Sequence, residues 1–178
     1  PFSWDKPKEL EYSTLDSIKH YLNILHAGVL AMDPGNGDVK AWVGGIDFNY
    51  FQYDHVAKST KRQVGSTFKP FVYAAALEEG YDPCAYTSAA RLVYTDQKDW
   101  TPNNADEKEN ILKYSYKGAL SKSVNTVAVK VLEEVGIGSA ISLARSLGVE
   151  SEIPKLPSIA LGTPSVSLLE MTQAYAAF

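Results

Sequence analysis

The chain has few of the residues that form disulfides and metal sites, with one cysteine, Cys84, and 3 histidines among 178 residues. A single cysteine excludes an intrachain disulfide. No group of histidines, cysteines and carboxylates has the spacing of metal ligands. The sequence therefore implies no metal ion and no other cofactor.

Long apolar runs and an excess of basic residues are missing as well. No stretch approaches the run of about 20 apolar residues that a membrane-spanning helix needs. The 17 lysines and arginines are outnumbered by 21 aspartates and glutamates, which gives a formal net charge of −4. Since no cluster of basic residues offers a phosphate-binding face either, the composition argues against nucleic acid as a partner.

What the chain does contain is a 45% hydrophobic fraction, enough for one medium domain or two small lobes. The apolar segments 27–32 and 39–43 flank the turn-rich sequence DPGNGD, and this pattern predicts a β-hairpin. Helical spacing, caps and glycine stops predict helices over about 15–25, 66–79, 111–120, 139–147, between Asn125 and Gly136, and from Ser167 onward; 91–94 reads as a short strand and 158–162 as an extended piece or turn.

The segment 62–70, RQVGSTFKP, places Ser66 and Lys69 three residues apart at the start of a predicted helix. Residues at i and i+3 share a helix face, so the Lys69 amine can reach the Ser66 hydroxyl. Pro70 has no N–H and disfavours helical angles at Lys69, so we expect a distorted or 3₁₀-like first turn. Ser-x-x-Lys alone is common by chance, and its catalytic interpretation depends on the rest of the chain.

A second polar pair, Ser123 and Asn125, lies between two predicted helices, about 57 positions after Ser66. Ser-x-x-Lys followed by a Ser-x-Asn motif and then by Lys-Thr-Gly marks the penicillin-binding and serine β-lactamase group. Taken alone, Ser123 and Asn125 are ordinary loop and capping residues. In this ordered series the catalytic interpretation is the stronger one.

The resemblance extends over most of the chain from about residue 15. The active-site segment 62–70 resembles that of the transpeptidase domain of class A (bifunctional) penicillin-binding proteins. Four further segments are similar to that family in the same order: VKAWVGG at 39–45, the Trp100-x-Pro102-x-Asn104-x-Asp106 stretch, 119–128 around the second motif, and 160–178 with Ala-Leu-Gly and AYAAF.

The resemblance implies a serine acyl-enzyme mechanism on peptidoglycan stem peptides that end in D-Ala-D-Ala, with β-lactams as inhibitors. Ser66 is the implied nucleophile, Lys69 its base and Ser123 a proton relay, while Asn125 and Gly65 are implied to bind substrate. A base that works near pH 7 needs the lysine pKa lowered by about three units, which burial and a second cation can provide. The Ser66 N–H is the expected first oxyanion donor.

The chain departs from the family pattern because it contains no Lys-Thr-Gly, and Lys117-Gly118 is out of pattern. It also begins at Pro1 and stops at Phe178 inside an apolar helical run. We therefore expect a fragment of low or no activity. The parent protein is expected to be membrane-anchored on the outer face of the cytoplasmic membrane or in the periplasm, with an N-terminal glycosyltransferase domain.

The implied fold is α/β (α+β), a partial transpeptidase/β-lactamase-like fold with part of an antiparallel sheet and a mainly helical lobe. We divide it into a lead-in at 1–14, a segment at 15–83 with the hairpin packed against the Ser66 helix, and a helical lobe at 84–178. An unfinished sheet leaves an open edge, so the chain is expected to self-associate there.

Two alternatives to a transpeptidase stay open at this point. One is a serine β-lactamase, although no hydrolytic carboxylate motif is evident. The other is a non-catalytic β-lactam- or peptidoglycan-binding module. A Ser/His/Asp triad of Ser66 with Asp54 and His55 is disfavoured, because an aspartate rarely orients the histidine next to it.

Overall fold

The computed structural model of the chain describes residues 1–5 and 9–178. Its α-helices are α1 (Thr14–Leu22), α2 (Lys69–Glu78), α3 (Tyr116–Ser121), α4 (Asn125–Val135), α5 (Ile137–Ser146) and α6 (Leu168–Tyr175). Its strands are β1 (Val29–Met32), β2 (Val39–Val43), β3 (Lys61–Gln63), β4 (Tyr86–Ser88), β5 (Lys113–Ser115) and β6 (Ser165–Ser167). Short 3₁₀ helices cover Gly65–Phe68, Thr95–Gln97, Glu107–Ile111 and Pro157–Leu161.

The strands form three separate antiparallel pairs in the part of the chain that the structure describes. The predicted hairpin is confirmed as β1 paired with β2. Strand β3 pairs with β6, more than 100 residues later, and β4 pairs with β5. The β3–β6 pair helps to position the Ser66 turn, because β3 leads directly into it.

Helices α2 and α4 form the centre of the hydrophobic core. The fully buried side chains include Phe71 and Val72 of α2, Val127 and Leu132 of α4, and Phe68 of the 3₁₀ helix that leads into α2. Both helices pack against each other and against the 3₁₀ helix Pro157–Leu161, while α5 covers α2. Buried apolar area of this kind is the dominant favourable term in folding. The helix that follows Ser66 is therefore anchored by the core of the protein.

Several sequence predictions are corrected by the structure. No strand forms at 91–94 in the described residues; instead Tyr94 makes an isolated bridge with Trp100 around a turn in which Lys98 and Asp99 have positive φ. The helix predicted from Ile111 begins only at Tyr116, because 113–115 pair with β4 and the Ser115 hydroxyl caps the helix by accepting from the Gly118 N–H.

Three smaller differences concern α1, 158–162 and the hairpin. Helix α1 ends at Leu22 rather than at 25. Of the two alternatives for 158–162, the structure has the turn, as a 3₁₀ helix capped by Gly162, and not the extended piece. The hairpin was predicted to pack against the Ser66 helix. In the structure, its strand β1 packs against α6 instead. The capping box at Ser167 and Glu170 is confirmed as the start of α6. None of the described helices has the length and apolar character needed to span a bilayer.

Candidate active site

The turn that carries Ser66 is a 3₁₀ helix of four residues, Gly65–Phe68, which continues into α2 at Lys69. The Lys69 N–H donates to the Ser66 carbonyl across this turn. Pro70 occupies the first turn of α2, where its missing N–H has no intrahelical acceptor to lose. The expected 3₁₀ distortion is present, and it places Ser66 in solvent while Phe68 and Lys69 enter the core.

The Lys69 side chain is 1% exposed and is held by three hydrogen bonds from its ammonium group. Lys69 Nζ donates to the Ser123 carbonyl at 2.6 Å, to Ser123 Oγ at 3.0 Å and to Asn125 Oδ1 at 2.7 Å. Both motifs, 54 residues apart in the chain, thus meet at one amine. All of the ammonium donors can be satisfied here, which is how a buried lysine avoids a large desolvation cost.

Burial lowers the pKa of Lys69 to about 8, and the negative charge of Glu109 opposes that change. At pH 7 a lysine with this pKa is neutral in about one molecule in ten, against fewer than about one in a thousand for a free lysine. Among the residues 1–5 and 9–178, no second cation contributes to the lowered pKa. Desolvation at this site therefore keeps part of the Lys69 amine neutral near pH 7, where it can accept a proton.

Ser123 adopts a left-handed backbone conformation, with φ of 57°. A non-glycine residue in this region is uncommon and costs about 1 kcal/mol or more, and such strain clusters at functional sites. It is held by the Ser123 N–H bonded to the Leu120 carbonyl and by the lysine on its own carbonyl. In this conformation both the carbonyl oxygen and Oγ of Ser123 face Lys69.

Asn125, the first residue of α4, is oriented from the other side by the loop at 103–104. Its Nδ2 donates to the Asn103 carbonyl at 2.8 Å, which leaves Oδ1 for Lys69. Next to it, buried Asn104 accepts from the Thr126 N–H at 3.0 Å. The sequence reasoning did not assign roles to Asn103 and Asn104, although the Trp100-x-Pro102-x-Asn104 stretch was part of the resemblance.

The Ser66 hydroxyl is exposed, and no hydrogen bond joins it to Lys69 among the described residues. The expected contact between the Lys69 amine and the Ser66 hydroxyl stays a prediction. Gly65 directly before it has φ of 56° and open space where a side chain would stand. The turn thus leaves the serine accessible to a large substrate.

A mostly apolar cleft of about 630 Å³ lies next to this turn and is bordered by Thr67, Val166, Met171 and Tyr175. None of Ser66, Lys69, Ser123 and Asn125 lines it. The cleft is therefore separate from the polar cluster that has the chemistry of a reaction site.

Asp54 and His55 form no triad with Ser66. The Asp54 carboxylate accepts from Trp42 Nε1 at 2.9 Å and from the N–H groups of Val56 and Ala57. His55 packs its ring against Tyr53 and His26. The Asp54 carboxylate thus holds the loop that follows it against β2.

The described arrangement combines an exposed hydroxyl, a buried amine of lowered pKa one residue beyond the turn, and a second hydroxyl and an amide on that amine. Such a set suits nucleophilic attack on a carbonyl with proton transfer through lysine. Among the described residues no group of three or more histidines, cysteines and carboxylates is placed to hold a metal ion.

The chain matches a known protein family over most of its length. Residues 27–178 match the family model of the penicillin binding protein transpeptidase domain. Penicillin-binding protein 1A of Pseudomonas aeruginosa is 35% identical over 156 residues, and that of Aquifex aeolicus is 36% identical over 160 residues. These alignments cover 85% and 86% of the chain but 19% and 21% of the relatives. The chain thus spans about a fifth of the curated relatives that it matches.

Solved structures have the same fold. Penicillin-binding protein 1A from Haemophilus influenzae matches with a TM-score of 0.76 and 27% identity, over 85% of this chain and 23% of that one. PonA1 from Mycobacterium tuberculosis, solved in complex with penicillin V, matches with a TM-score of 0.72 and 25% identity, over 90% of this chain and 46% of that one. The expected α/β fold class is thereby confirmed.

Proposed function

Because this chain belongs to the penicillin-binding protein transpeptidase family, we propose that it supplies the nucleophile and the base of a peptidoglycan D-Ala-D-Ala transpeptidase. The observation that carries the proposal is the buried Lys69 amine, bonded to Ser123 and Asn125 and one residue beyond the turn that exposes Ser66. Perturbed pKa values of buried ionisable groups cluster at functional sites, and here the lysine lies next to an exposed serine.

In the proposed acylation, Ser66 Oγ attacks the carbonyl carbon of the penultimate D-alanine of a stem peptide. The proton of Ser66 goes to the neutral amine of Lys69. The carbonyl carbon then loses the nitrogen of the terminal D-alanine, which leaves as an amine after it takes a proton through Ser123. An ester of Ser66 remains, and a free amine on a neighbouring stem peptide attacks it to form the cross-link and release the serine.

The roles of the supporting residues follow from their contacts. Ser123 Oγ lies 3.0 Å from Lys69 Nζ, within reach for passing a proton between lysine and leaving group. Asn125 orients the lysine through Oδ1. It lies beside the lysine, where it binds an amide of the substrate. Gly65 leaves room for the substrate in front of Ser66.

For the whole protein we propose the features implied by the relatives and by the sequence resemblance. These are peptidoglycan as substrate, β-lactams as inhibitors, a membrane anchor, an N-terminal glycosyltransferase domain and a place at the outer face of the cytoplasmic membrane. The penicillin V complex of PonA1 supports the β-lactam part of this proposal. A β-lactam acylates the serine while its leaving group stays attached by the opened ring, so the ester persists.

A fluorescent penicillin tests the proposal, applied to the product of the full open reading frame that encodes this chain and to the 178-residue chain in parallel. Label that survives denaturation is expected on the full-length protein and is expected to be lost in Ser66→Ala. Ser146→Ala, which removes an exposed hydroxyl on α5, is the matched control and should label normally. Full labelling of Ser66→Ala would reject Ser66 as the nucleophile, and rapid release of the label would favour a β-lactamase.

A further inference from the structure

Gly162 lies directly against the backbone of the Ser66 turn. A Cβ atom built on Gly162 would lie 1.6 Å from the Gly65 carbonyl oxygen, 2.2 Å from its carbon and 2.4 Å from the Gly65 Cα. These are backbone atoms, so no side-chain rotation can relieve the overlap. Gly162 also has φ of 75° and receives a hydrogen bond from the Gly65 N–H on its own carbonyl, at 2.9 Å.

This contact fixes the peptide unit between Gly65 and Ser66. In a trans peptide the carbonyl oxygen and the following N–H point in opposite directions. With the Gly65 oxygen against Gly162, the Ser66 N–H must point away from the 162 loop. The direction of that N–H matters because the proposed reaction builds negative charge on a carbonyl oxygen beside Ser66.

The segment after Gly162 continues the same contact on both sides of the serine. The Val64 N–H donates to the Pro164 carbonyl at 3.1 Å, and β6 then pairs with β3. Beyond β6, the Tyr175 hydroxyl on α6 donates to the Thr67 carbonyl at 2.6 Å. The backbone is therefore held from 162–175 on both sides of Ser66, at Val64 and Gly65 before it and at Thr67 after it.

We propose that Gly162, supported by Tyr175, is a positioning residue that aims the Ser66 N–H as an oxyanion donor. The proposal rests on the proposed function, because only an acyl-transfer reaction at Ser66 needs this donor. Gly162 touches no reacting atom and acts through the Gly65–Ser66 peptide. Any side chain at 162 must rotate that peptide or separate β3 from β6.

The test measures acylation of the full-length protein by a chromogenic or fluorescent penicillin and separates the acylation rate constant k2 from the dissociation constant Kd of the non-covalent complex. Gly162→Ala is expected to lower k2 about ten- to a hundredfold, since loss of a whole oxyanion donor costs about 10² to 10³. Kd should change by less than about threefold, because binding precedes formation of the charge. A residue needed only for folding would lower the active fraction without changing k2.

Each variant has a control that makes the same change away from Ser66, so that a loss of k2 caused by backbone strain or by a missing hydroxyl alone can be recognised. Gly80→Ala is the control for Gly162→Ala, because Gly80 has φ of 86° but no atom within 4 Å of its Cβ position. Tyr81→Phe is the control for Tyr175→Phe, since the Tyr81 hydroxyl also donates to a carbonyl, that of Glu134, at 2.9 Å. We expect Tyr175→Phe to lower k2 by about two- to tenfold, as one neutral hydrogen bond would. Both controls should keep the wild-type k2.

The outcomes distinguish the two proposals. If the wild-type protein takes no label, or Ser66→Ala labels fully, the proposed function fails. If the wild type labels and Gly162→Ala keeps its k2 or changes only Kd, the positioning role of Gly162 is overturned. Should Gly162→Ala not fold, a wild-type k2 in Tyr175→Phe overturns the proposal, and a lowered k2 supports it.

Discussion

At the scale of single residues, the site is defined by what surrounds Lys69. A buried ammonium would be costly without partners, and Ser123 and Asn125 supply three acceptors within 3.0 Å. Those bonds stabilise the charged form, while burial favours the neutral one. Burial outweighs the opposing negative charge of Glu109 and lowers the pKa of Lys69 to about 8, which leaves the amine ready to exchange a proton.

The pH dependence of acylation follows from that pKa. Acylation needs neutral Lys69, whose fraction increases with pH until the pKa is passed. We expect k2 for a penicillin to rise about tenfold from pH 6 to 7 and about fivefold from pH 7 to 8, and to level off by about pH 9, since the protonated fraction is the inactive one. Stopped-flow acylation of the full-length protein over pH 6–9.5 measures this.

Lys69→Arg is the companion variant. Arginine keeps the positive charge but cannot be deprotonated in a protein, so k2 should fall by about 10² or more and lose its pH dependence. A wild-type profile that stays flat across pH 8, or a variant that keeps the wild-type slope, contradicts the role of Lys69 as base.

The strained backbone at Ser123 yields a second prediction. Both Ser123→Ala and Ser123→Gly remove the relay hydroxyl and should slow acylation to a similar extent. Glycine adopts the φ of 57° without penalty, so Ser123→Gly should be more stable than Ser123→Ala by about 1 kcal/mol. Chemical denaturation of the two variants measures the difference, and equal or reversed stabilities would show that the conformation at 123 is not strained.

At the scale of elements, the sequence correctly predicted turns and helix ends that depend on residues close together in the chain. The DPGNGD turn, the Gly136 stop and the Ser167–Glu170 capping box each act within a few residues, and the structure has the corresponding hairpin and helix ends. Pro70 correctly predicted the 3₁₀ turn at Ser66. The ordered motifs also predicted the family.

Elements that depend on distant partners were not predictable in this way. Strand β5 exists because 113–115 pair with 86–88, and nothing in KYS distinguishes it from a helix start. The pairing of β3 with β6 and the approach of Gly162 to Gly65 join segments about 100 residues apart. Asn103 contributes to the site through its carbonyl, which no side-chain pattern can reveal. The division of the chain at residue 83 stays a prediction.

The cap of α6 can be tested through pH. Glu170 is 2% exposed, and its carboxylate accepts hydrogen bonds from Ser167, Ser151 and the Glu150 N–H. Burial alone raises the pKa of Glu170, but the hydrogen bonds from Ser167 and Ser151 outweigh it and lower the pKa to about 2. Its folded pKa lies below the unfolded one, so this stability is present above about pH 4.5 and is lost as pH falls toward 2.

Glu170→Gln should therefore lower the free energy of unfolding by about 2 kcal/mol at pH 7, because an amide nitrogen replaces one acceptor oxygen among buried donors. The deficit should shrink as pH falls from 4.5 toward 2. Glu152→Gln, at an exposed site nearby, is the control and should be neutral. Urea unfolding across this pH range measures both, and a deficit that does not change with pH would contradict the account.

At the scale of the whole molecule, the chain has a dense helical core and a lightly covered hairpin. Val29 is 56% exposed, Val43 49% and Trp42 44%, although all three lie in strands. A two-stranded sheet also leaves unpaired N–H and C=O groups along its outer edges. Self-association through this edge stays a prediction for the 178-residue chain.

The oligomeric state in solution tests that prediction. We expect the 178-residue chain to form dimers or larger species at micromolar concentration, and Val29→Lys to shift it toward monomer, because lysine on a strand edge opposes pairing. Val93→Lys is the control, since Val93 is 60% exposed in an irregular segment. Sedimentation velocity gives the masses; a monomeric wild type, or an equal effect of both substitutions, would contradict association through the hairpin.

The central claim is that Ser66 forms the acyl-enzyme, and the mass of the penicillin adduct tests it most directly. Full-length protein incubated with penicillin should gain one whole penicillin molecule, because ring opening expels nothing. Trypsin should place the adduct on the peptide 63–91, and fragmentation should assign it to Ser66 rather than to the exposed Cys84 in the same peptide. An adduct on Cys84 or elsewhere, with Ser66 unmodified, would contradict the account.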